Sequence, residues 1–386
     1  MMKSLVFGLL FMVFSIMTGL KSMAQVPHRM VIPDVPGYFT LKGDMHIHTV
    51  FSDGSVWPTT RIDEAYMEGL DFIALTDHLD ERLQRQKHAG LMNNDRNDSY
   101  KIASAKGKDC GVLVIHGGEI TRGMPPGHFN TTFISDGNAI CKITDAEKDD
   151  YKAMLGGLQE AQRQGGFLVW NHPHWSRQAP NGPIWYDEHT KLLKAGLMQG
   201  IEIFNQFEGV SLEAFHWAVE NGLTIVSGTD AHQPLFKVLD MNKELRPVTL
   251  VFAKERTEKA IHEALLAHRT AVFAEGKVYG TEENIKPLNE AVLVVKRAAF
   301  SEKKVKVVLS NKSSIPIILT KAPGGEKYIY PTYILLQPFG DYGFDLSLTD
   351  RNKPLGETTI DMPFYINNFY TDADKPLVRT IRVSAK

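Results

Sequence analysis

The sequence lacks any excess of charge of one sign. Only 23% of its 386 residues are charged, and 43 basic residues against 45 acidic ones leave a formal net charge of -2. Binding to a phosphate backbone needs a basic surface, so the composition gives no support for a nucleic-acid partner. A hydrophobic content of 43% argues against disorder and predicts a globular chain of about two domains.

Long apolar runs are missing beyond the first residues. Lys3 precedes an apolar run from Leu5 to Leu20, and the small residues Ser22 and Ala24 fit a signal-peptidase site. An uncleaved anchor needs about 20 apolar residues, more than this run supplies. We therefore expect residues 1–24 to be a cleaved signal peptide and the protein to be exported, to a periplasmic or extracellular location.

Cysteine is nearly absent, with Cys110 and Cys141 as the two examples. Export would allow one disulfide between them. Two buried free thiols, which pack as small apolar side chains, are an equally good interpretation. Neither residue lies in a motif with metal-ligand spacing, so cysteine is not a candidate ligand.

From about Lys42 to Phe273, short β-branched or aromatic runs alternate with helical stretches, which is typical of strand–helix units with a largely parallel sheet. The predicted strands are Gly43–His48, Asp71–Leu75, Val112–His116, Gly166–Trp170, Gly200–Phe204, Leu223–Ser227 and Pro247–Phe252. The predicted helices include Thr59–Glu68, Tyr151–Gln164, Leu212–Glu220 and Thr257–His268. Periodicity does not choose between a closed barrel and an open sheet.

Two segments depart from this alternation. The polar stretch from Glu81 to Lys108 predicts a surface insertion near the site, such as a partial lid, rather than a core element. Residues 286–386 read as short strands between turns, which predicts a small all-β sandwich domain. Histidine is absent after His268, so we assign the chemistry to a first domain over residues 41–285.

Histidine and carboxylate motifs follow the ends of the apolar runs. His46 and His48 point to one face of a strand, because side chains alternate along it. The other motifs are TDH (Thr76–His78), GGE (Gly117–Glu119), GHF (Gly127–Phe129), NHPH (Asn171–His174) and GTDAH (Gly228–His232). A single such histidine is usually structural. Burying the whole set together without cations would leave costly unpaired polar groups, so the set predicts a metal site.

The order of these motifs resembles that of the PHP (polymerase and histidinol phosphatase) family of metal-dependent phosphoesterases. The resemblance covers roughly Leu41 to Phe273 and includes the SDG that follows the HxH pair. It implies an α/β fold, a distorted (β/α)7 barrel of the PHP type, ahead of the β-sandwich. It also implies three divalent metals, and the mixed imidazole and carboxylate ligands suit Zn, Mn or Fe.

The resemblance assigns nine ligands to the three metals. The first metal would be held by His46, His48, Glu119 and Asp230; the second by Glu119, as a bridge, with His128 and His172; and the third by Asp53, His78 and His232. Some relatives carry His where this chain has Asp53, which leaves the preference of the third site open.

Three metals would make the pocket electropositive and suited to a phosphate ester. Two metals bridged by Glu119 can hold a hydroxide for in-line attack, because metal binding lowers the pKa of water from about 15.7 toward about 7. Asp230 or His174 could protonate the leaving group, and Arg122 could clamp a phosphate oxygen. Alternatively, Arg122 is a solvated turn charge and His174 has a packing role.

Weaker candidates surround this set. Asp77, next to His78, is expected to orient its surroundings or to cap the following turn. The aromatic residues Trp175, Trp185 and Tyr186 could wall a substrate pocket or simply pack their own loop.

The leading function is therefore an exported phosphoesterase that acts on small phosphodiesters or phosphomonoesters, with no nucleic-acid partner and no stable membrane span. One alternative is an amidase or lactonase, because metal-activated water on a barrel also cleaves carbonyl substrates. That chemistry usually employs a carboxylated lysine, and no lysine lies among these motifs. The other alternative is a non-catalytic metal-binding scaffold whose β-sandwich binds a ligand.

Overall fold

A computed structural model describes residues 29–79, 95–240 and 244–385. The helices of these residues are α1 (Pro58–Glu68), α2 (Asp98–Cys110), α3 (Gly137–Ala146), α4 (Asp150–Arg163), α5 (Asp187–Lys194), α6 (Leu212–Asn221), α7 (Glu258–Leu266) and α8 (Glu282–Val292). The strands up to α8 are β1 (Phe39–Ile47), β2 (Phe72–Leu75), β3 (Leu113–Thr121), β4 (His128–Thr132), β5 (Phe167–Trp170), β6 (Gly200–Asn205), β7 (Gly209–Val210), β8 (Thr224–Gly228), β9 (Val248–Ala253), β10 (Thr270–Ala274) and β11 (Lys277–Tyr279). The strands after α8 are β12 (Leu293–Phe300), β13 (Lys304–Asn311), β14 (Ile317–Lys321), β15 (Tyr328–Ile329), β16 (Tyr333–Leu336), β17 (Asp341–Leu348), β18 (Thr359–Asp372) and β19 (Lys375–Ser384).

The strands that carry the motifs form one mixed sheet. Parallel ladders join β1 to β2, β2 to β3, β5 to β6 and β6 to β8. Antiparallel ladders join β4 to both β3 and β5, and β9 to both β1 and β10. The prediction of a largely parallel sheet is therefore wrong. Thr121 and His128 are too close in sequence for the crossover of a dozen residues that a parallel return needs, so β4 folds back on β3.

The carboxyl ends of β1 and β8 meet without a ladder between them. The Asp230 N–H donates to the His46 carbonyl at 2.7 Å, and the His48 N–H donates to the Ala231 carbonyl at 3.3 Å. Within the described part of the chain, the ladders run as an open path in which β8 pairs only with β6. A closed seven-stranded barrel therefore stays a prediction.

The segment from Glu81 to Lys108 is not wholly an insertion. From Asp98 onward it forms α2, which packs against α1 and β3, with Ala103 fully buried. This half of the prediction is wrong, because the helix buries a narrow face of small residues that polar neighbours conceal in the sequence. Residues 80–94 and the predicted signal peptide lie outside the described residues. Among the helices that the structure describes, none is long and apolar enough to cross a membrane.

The strands after α8 pair with the large sheet and share a buried core with it. A four-stranded sheet has the order β12-β13-β17-β15, whereas β16, β14, β18 and β19 extend the large sheet. The link is a parallel pairing of β18 with β11, in which Val278 lies opposite Phe369. Val307 of the four-stranded sheet and Phe364 of β18 belong to one buried core, which also includes Ile47 of β1. The sandwich domain itself stays a prediction.

Both cysteines are free thiols. Cys110 is half-buried at the end of α2, and Cys141 is buried in α3. The thiol of Cys141 lies 3.2 Å from an Asp145 carboxylate oxygen and 3.3 Å from Arg96 Nη2. Of the two interpretations of the cysteine pair, the structure agrees with the free thiols.

Candidate metal centre

The nine predicted ligand residues lie together at the strand ends. Among the described residues, the groups whose ligand atoms lie within 4.8 Å of one another are His46–His48–Asp230, Glu119–His128–His172, His48–Asp53–His78–His232 and His46–His172–Glu202. Every predicted ligand occurs in at least one group. The groups share members, so they form one continuous cluster rather than separate sites.

In the first group, the imidazoles of His46 and His48 both face the carboxylate of Asp230. The Nε2 atoms of His46 and His48 are 3.1 Å apart, and Asp230 Oδ1 lies 3.3 Å from the first and 3.0 Å from the second. Two neutral imidazoles can share only one N–H between these nitrogens. A cation among the three atoms would satisfy all of their lone pairs at once.

Glu119 stands between two groups and is almost completely buried. One oxygen, Oε1, lies 3.0 Å from His128 Nδ1 and 3.4 Å from His172 Nε2. The other, Oε2, lies 2.9 Å from His78 Nδ1 and 3.7 Å from His46 Nε2. A carboxylate whose two oxygens serve different sets of imidazoles has the geometry of a bridging ligand.

The third group centres on Asp53. Its Oδ2 lies 3.0 Å from His232 Nε2, and its Oδ1 lies 3.5 Å from His78 Nε2. The ring of His48 stacks on that of His232 with a centroid distance of 4.2 Å. His48 therefore lies between the first and third groups, and the division into three sets is less sharp than the sequence motifs suggest.

Sequence reasoning missed Glu202. Its two carboxylate oxygens lie 3.3 and 3.2 Å from His46 Nδ1, and Oε2 also accepts the His172 N–H at 2.9 Å. A carboxylate on the far nitrogen of an imidazole fixes the tautomer and directs the near nitrogen toward the metal position. The only signal was its place in β6, whose carboxyl end reaches the same edge of the sheet.

Two of the clustered residues have left-handed backbones. His172 has φ 26° and Asp230 has φ 51°, a region that costs residues other than glycine about 1–3 kcal/mol. The surroundings hold Asp230 in this conformation, since its N–H bonds to His46 and its Oδ2 accepts from Asn205 Nδ2 at 3.1 Å. Strained backbone of this kind is concentrated at functional sites.

Asp77 braces the loop between His48 and Asp53. Its Oδ1 accepts from the Thr49 N–H at 2.7 Å and from the Ser52 hydroxyl at 2.8 Å, and its Oδ2 accepts from the Thr49 hydroxyl at 2.7 Å. This is the orienting position expected from its place beside His78. The brace fixes the path of the chain between two candidate ligands.

The protonation of the cluster is set by burial and by its own charges. Burial alone lowers the pKa of the histidines, but neighbouring carboxylates raise it above the usual value for His46, His78, His172 and His232. Burial opposes ionisation of the carboxyl groups, but the imidazoles hold the pKa well below its usual range for Asp53, Glu119 and Asp230. Burial and the neighbouring His232 lower the pKa of His48 to about 4. Without metal, imidazolium protons thus balance the carboxylates, and divalent cations would displace them.

Two further candidates lie outside the ligand groups. The Arg122 guanidinium donates to the carbonyls of Thr121 and Thr144, both at 2.8 Å, so it braces backbone beside β3. His174 is half-buried, and its Nε2 donates to the Gly209 carbonyl at 3.1 Å. The contacts described for these two side chains are with backbone carbonyls rather than with the nine ligands.

One of the three loop aromatics lies against the cluster. The Trp175 ring is centred 5.3 Å from that of His128 and 5.4 Å from that of His172. Trp185 instead donates to the Thr190 hydroxyl at 2.9 Å and packs on Trp217. Tyr186 lies beside His189 at the start of α5. Tyr186 thus packs near its own loop, whereas Trp185 also joins that loop to α6.

Comparison with known proteins identifies the family. A crystal structure from Bacteroides vulgatus, described as a two-domain protein containing a predicted PHP-like metal-dependent phosphoesterase, is 37% identical. The alignment covers 93% of this chain and all of that one, with a TM-score of 0.84. The chain therefore belongs to the family of PHP-like metal-dependent phosphoesterases. No family model and no curated protein matches it.

Two other solved structures are more distant. A putative metal-dependent phosphoesterase from Bifidobacterium adolescentis is 15% identical over 58% of this chain and 96% of its own, with a TM-score of 0.39. An amidohydrolase from Chromobacterium violaceum with bound sulfate and no metal is 18% identical over 50% of this chain and 88% of its own, with a TM-score of 0.37. Likenesses this weak do not bear on the function.

Proposed function

We propose that this protein is an exported hydrolase of small phosphodiesters or phosphomonoesters that works with three divalent metals. The observation that carries the proposal is the convergence of nine histidine and carboxylate residues around the buried Glu119. Membership of the PHP-like family supplies the reaction class. A weakly acidic chain with a net charge of -2 favours a small substrate over a nucleic acid.

The donor set fits divalent metals. Imidazole nitrogens and carboxylate oxygens suit Zn, Mn and Fe, and the facing nitrogens of His46 and His48 could both bind one cation. We assign the first metal to His46, His48, Glu119 and Asp230, the second to Glu119, His128 and His172, and the third to Asp53, His78 and His232. Bound divalent ions would supply Lewis acidity to the phosphate and lower the pKa of a water molecule.

The residues of the chain itself prepare the site. Glu202 directs His46, and Asp77 fixes the loop that carries Asp53. The pKa of Asp230 is held low although burial opposes this, and burial lowers the pKa of His174. We therefore assign Asp230 to metal binding. Trp175 would exclude water beside His128 and His172.

The test is hydrolysis of bis-p-nitrophenyl phosphate and of the monoester by the purified protein with Mn or Zn. We expect nitrophenol release from at least one ester, and a loss of at least about 100-fold in Glu119→Gln, which removes a charged bridge. Glu255→Gln is the matched control, because Glu255 is exposed and distant from the ligand groups. Metal-loaded protein that turns over neither ester, or that cleaves carboxyl esters or amides faster, would overturn the proposal.

Export rests on the leader in the sequence. Cleavage after Ala24 would leave Gln25 as the first residue of the mature chain. N-terminal sequencing of protein recovered from outside the cytoplasm tests this. An intact leader on that protein, or recovery only from the cytoplasm, would contradict it.

A further inference from the structure

Arg61 is a fully buried cation in α1 that touches none of the predicted ligand side chains through its guanidinium. Its Nε donates to the His48 carbonyl at 2.9 Å, and its Nη2 donates to the Ala231 carbonyl at 2.6 Å. Its Nη1 donates to the Gln233 carbonyl at 3.1 Å and to Glu64 Oε2 at 2.8 Å. A single planar group thus bonds to three backbone carbonyls and one carboxylate.

The three carbonyls belong to the two segments that carry most of the candidate ligands. His48 directly follows β1, which holds His46, and precedes Asp53. Ala231 lies between Asp230 and His232 after β8. No ladder joins β1 to β8 in the described residues, and two backbone hydrogen bonds connect their ends. Thr229 Oγ1 also donates to Asp44 Oδ2 of β1 at 2.6 Å, and Ser55 Oγ donates to the His232 carbonyl at 3.2 Å. Arg61 differs from these ties because one planar cation bonds to backbone carbonyls of both segments at once.

The Arg61 guanidinium can fix the distance between the His48 and Ala231 carbonyls. The guanidinium fork is rigid and planar, so its donors fix the relative positions of the acceptors they reach. Glu64, which partners the fork, also accepts the Leu235 N–H at 2.9 Å through its other oxygen, which anchors the chain just beyond His232. A buried ion pair adds little to stability compared with apolar residues of the same volume, so general stability is a poor explanation for this arrangement.

We propose that Arg61 is a positioning residue that sets the separation of the His46–His48 pair from the Asp230–His232 pair, and thereby the metal affinity of the first and third sets. The inference rests on the proposed metal-binding function. Glu119, His128 and His172 come from β3, β4 and the end of β5, none of which Arg61 contacts. The second set therefore keeps its affinity when Arg61 is replaced.

The experiment compares Zn²⁺ binding to the purified full chain and to Arg61→Lys, by calorimetry and by metal content after dialysis. Lysine keeps the charge but loses the fork. We expect one class of sites to bind as in the parent and the others to weaken by about tenfold or more, as for the loss of groups that orient ligands. Arg379→Lys is the matched control, because Arg379 Nη1 also donates to backbone carbonyls, those of Asn289 and Leu293, far from the site.

Each outcome decides the matter. Superimposable isotherms for Arg61→Lys and the parent, or equal weakening in Arg61→Lys and Arg379→Lys, would overturn the inference. If Arg61→Lys does not fold, Glu64→Gln replaces it, since this milder change removes the charge that holds the fork. Selective weakening in Glu64→Gln supports the inference, and unchanged binding overturns it. A parent protein that binds no Zn²⁺ refutes the proposed function and the inference with it. A parent that binds Zn²⁺, with an unchanged isotherm in Arg61→Lys, refutes the inference alone.

Discussion

His189 lies outside the group of candidate ligands, and its burial and contacts favour the neutral ring. His189 is fully buried, and its ring stacks on Trp170 with a centroid distance of 3.7 Å. Its Nδ1 accepts the Tyr186 N–H at 3.0 Å, and its Nε2 donates to the Pro126 carbonyl at 2.8 Å. The bond at Nδ1 needs the neutral ring, because a protonated Nδ1 has no lone pair with which to accept. This histidine links α5 to the turn that precedes His128.

The buried ring predicts a loss of stability in acid. Burial lowers the pKa of His189 to about 4, below the ordinary histidine value of 6.5 that applies to the unfolded chain. The unfolded state therefore takes up a proton first, and the stabilisation present above pH 6.5 is lost as the pH falls toward 4. A shift of this size corresponds to about 3 kcal/mol in full. Urea unfolding at pH 7 and pH 5 measures the change.

His189→Gln provides the comparison for that measurement. Glutamine can accept and donate in similar directions but does not titrate in this range. We expect the variant to be less stable than the parent at pH 7 and the difference to shrink by pH 5. A constant difference across this interval would show that His189 does not contribute to the acid sensitivity.

At the scale of elements, hydrophobic pattern predicted much of the fold. The predicted strand Gly200–Phe204 and the predicted helix Leu212–Glu220 agree with β6 and α6 to within one residue at each end. The strand β4 was not predicted, because its sequence HFNTT is short and polar although every residue of it is buried. A buried polar strand is stabilised by tertiary contacts, and the local sequence pattern does not reveal them.

Part of the candidate site could likewise be predicted from the sequence, and part could not. The nine ligand positions lie in short histidine and carboxylate motifs at or near strand ends, which a sequence displays directly. Glu202 lies within β6 and meets His46 of β1 only in the folded chain, 156 residues away in sequence, so its role depends on tertiary structure. The positive φ angles of His172 and Asp230 likewise come from the assembled site rather than from residue type. Chemistry was thus readable from the sequence, whereas the orientation of the ligands was not.

The close approach of β8 to β1 makes Gly228 necessary. A Cβ added there would lie 2.1 Å from the Cβ of His46 and 2.7 Å from Glu202 Oε1. Gly228→Ala is expected to displace His46, to destabilise the fold by about 1–3 kcal/mol, and to weaken metal binding. Thermal unfolding and Zn²⁺ titration measure the two effects.

A second glycine provides the matched change. Gly343 lies in β17, where an added Cβ would meet Val308 at an ordinary 3.8 Å. Gly343→Ala should leave both the unfolding temperature and Zn²⁺ binding close to those of the parent. If Gly228→Ala behaves like Gly343→Ala, β8 and β1 can move apart with no loss of stability or Zn²⁺ binding. Close packing of β8 on β1 would then not be required.

For the whole molecule, the strands after α8 are joined to the part of the chain that carries the candidate ligands. Asn368 of β18 is buried, and its Nδ2 donates to the carbonyls of Gly276 at 3.2 Å and Pro316 at 2.7 Å. Its Oδ1 accepts the Ile318 N–H at 3.1 Å. With the β11–β18 ladder and the shared core, this predicts one cooperative unfolding transition.

The tryptophans make that prediction testable. The five tryptophans of the chain end at Trp217, so their fluorescence reports on the part before α8, whereas far-UV circular dichroism reports on both parts. We expect the two signals to have the same midpoint, and Asn368→Ala to lower both together, because the lost bonds leave buried groups unpaired at about 1–3 kcal/mol each. If Asn368→Ala instead produces an early dichroism step while fluorescence is unchanged, the later strands unfold on their own.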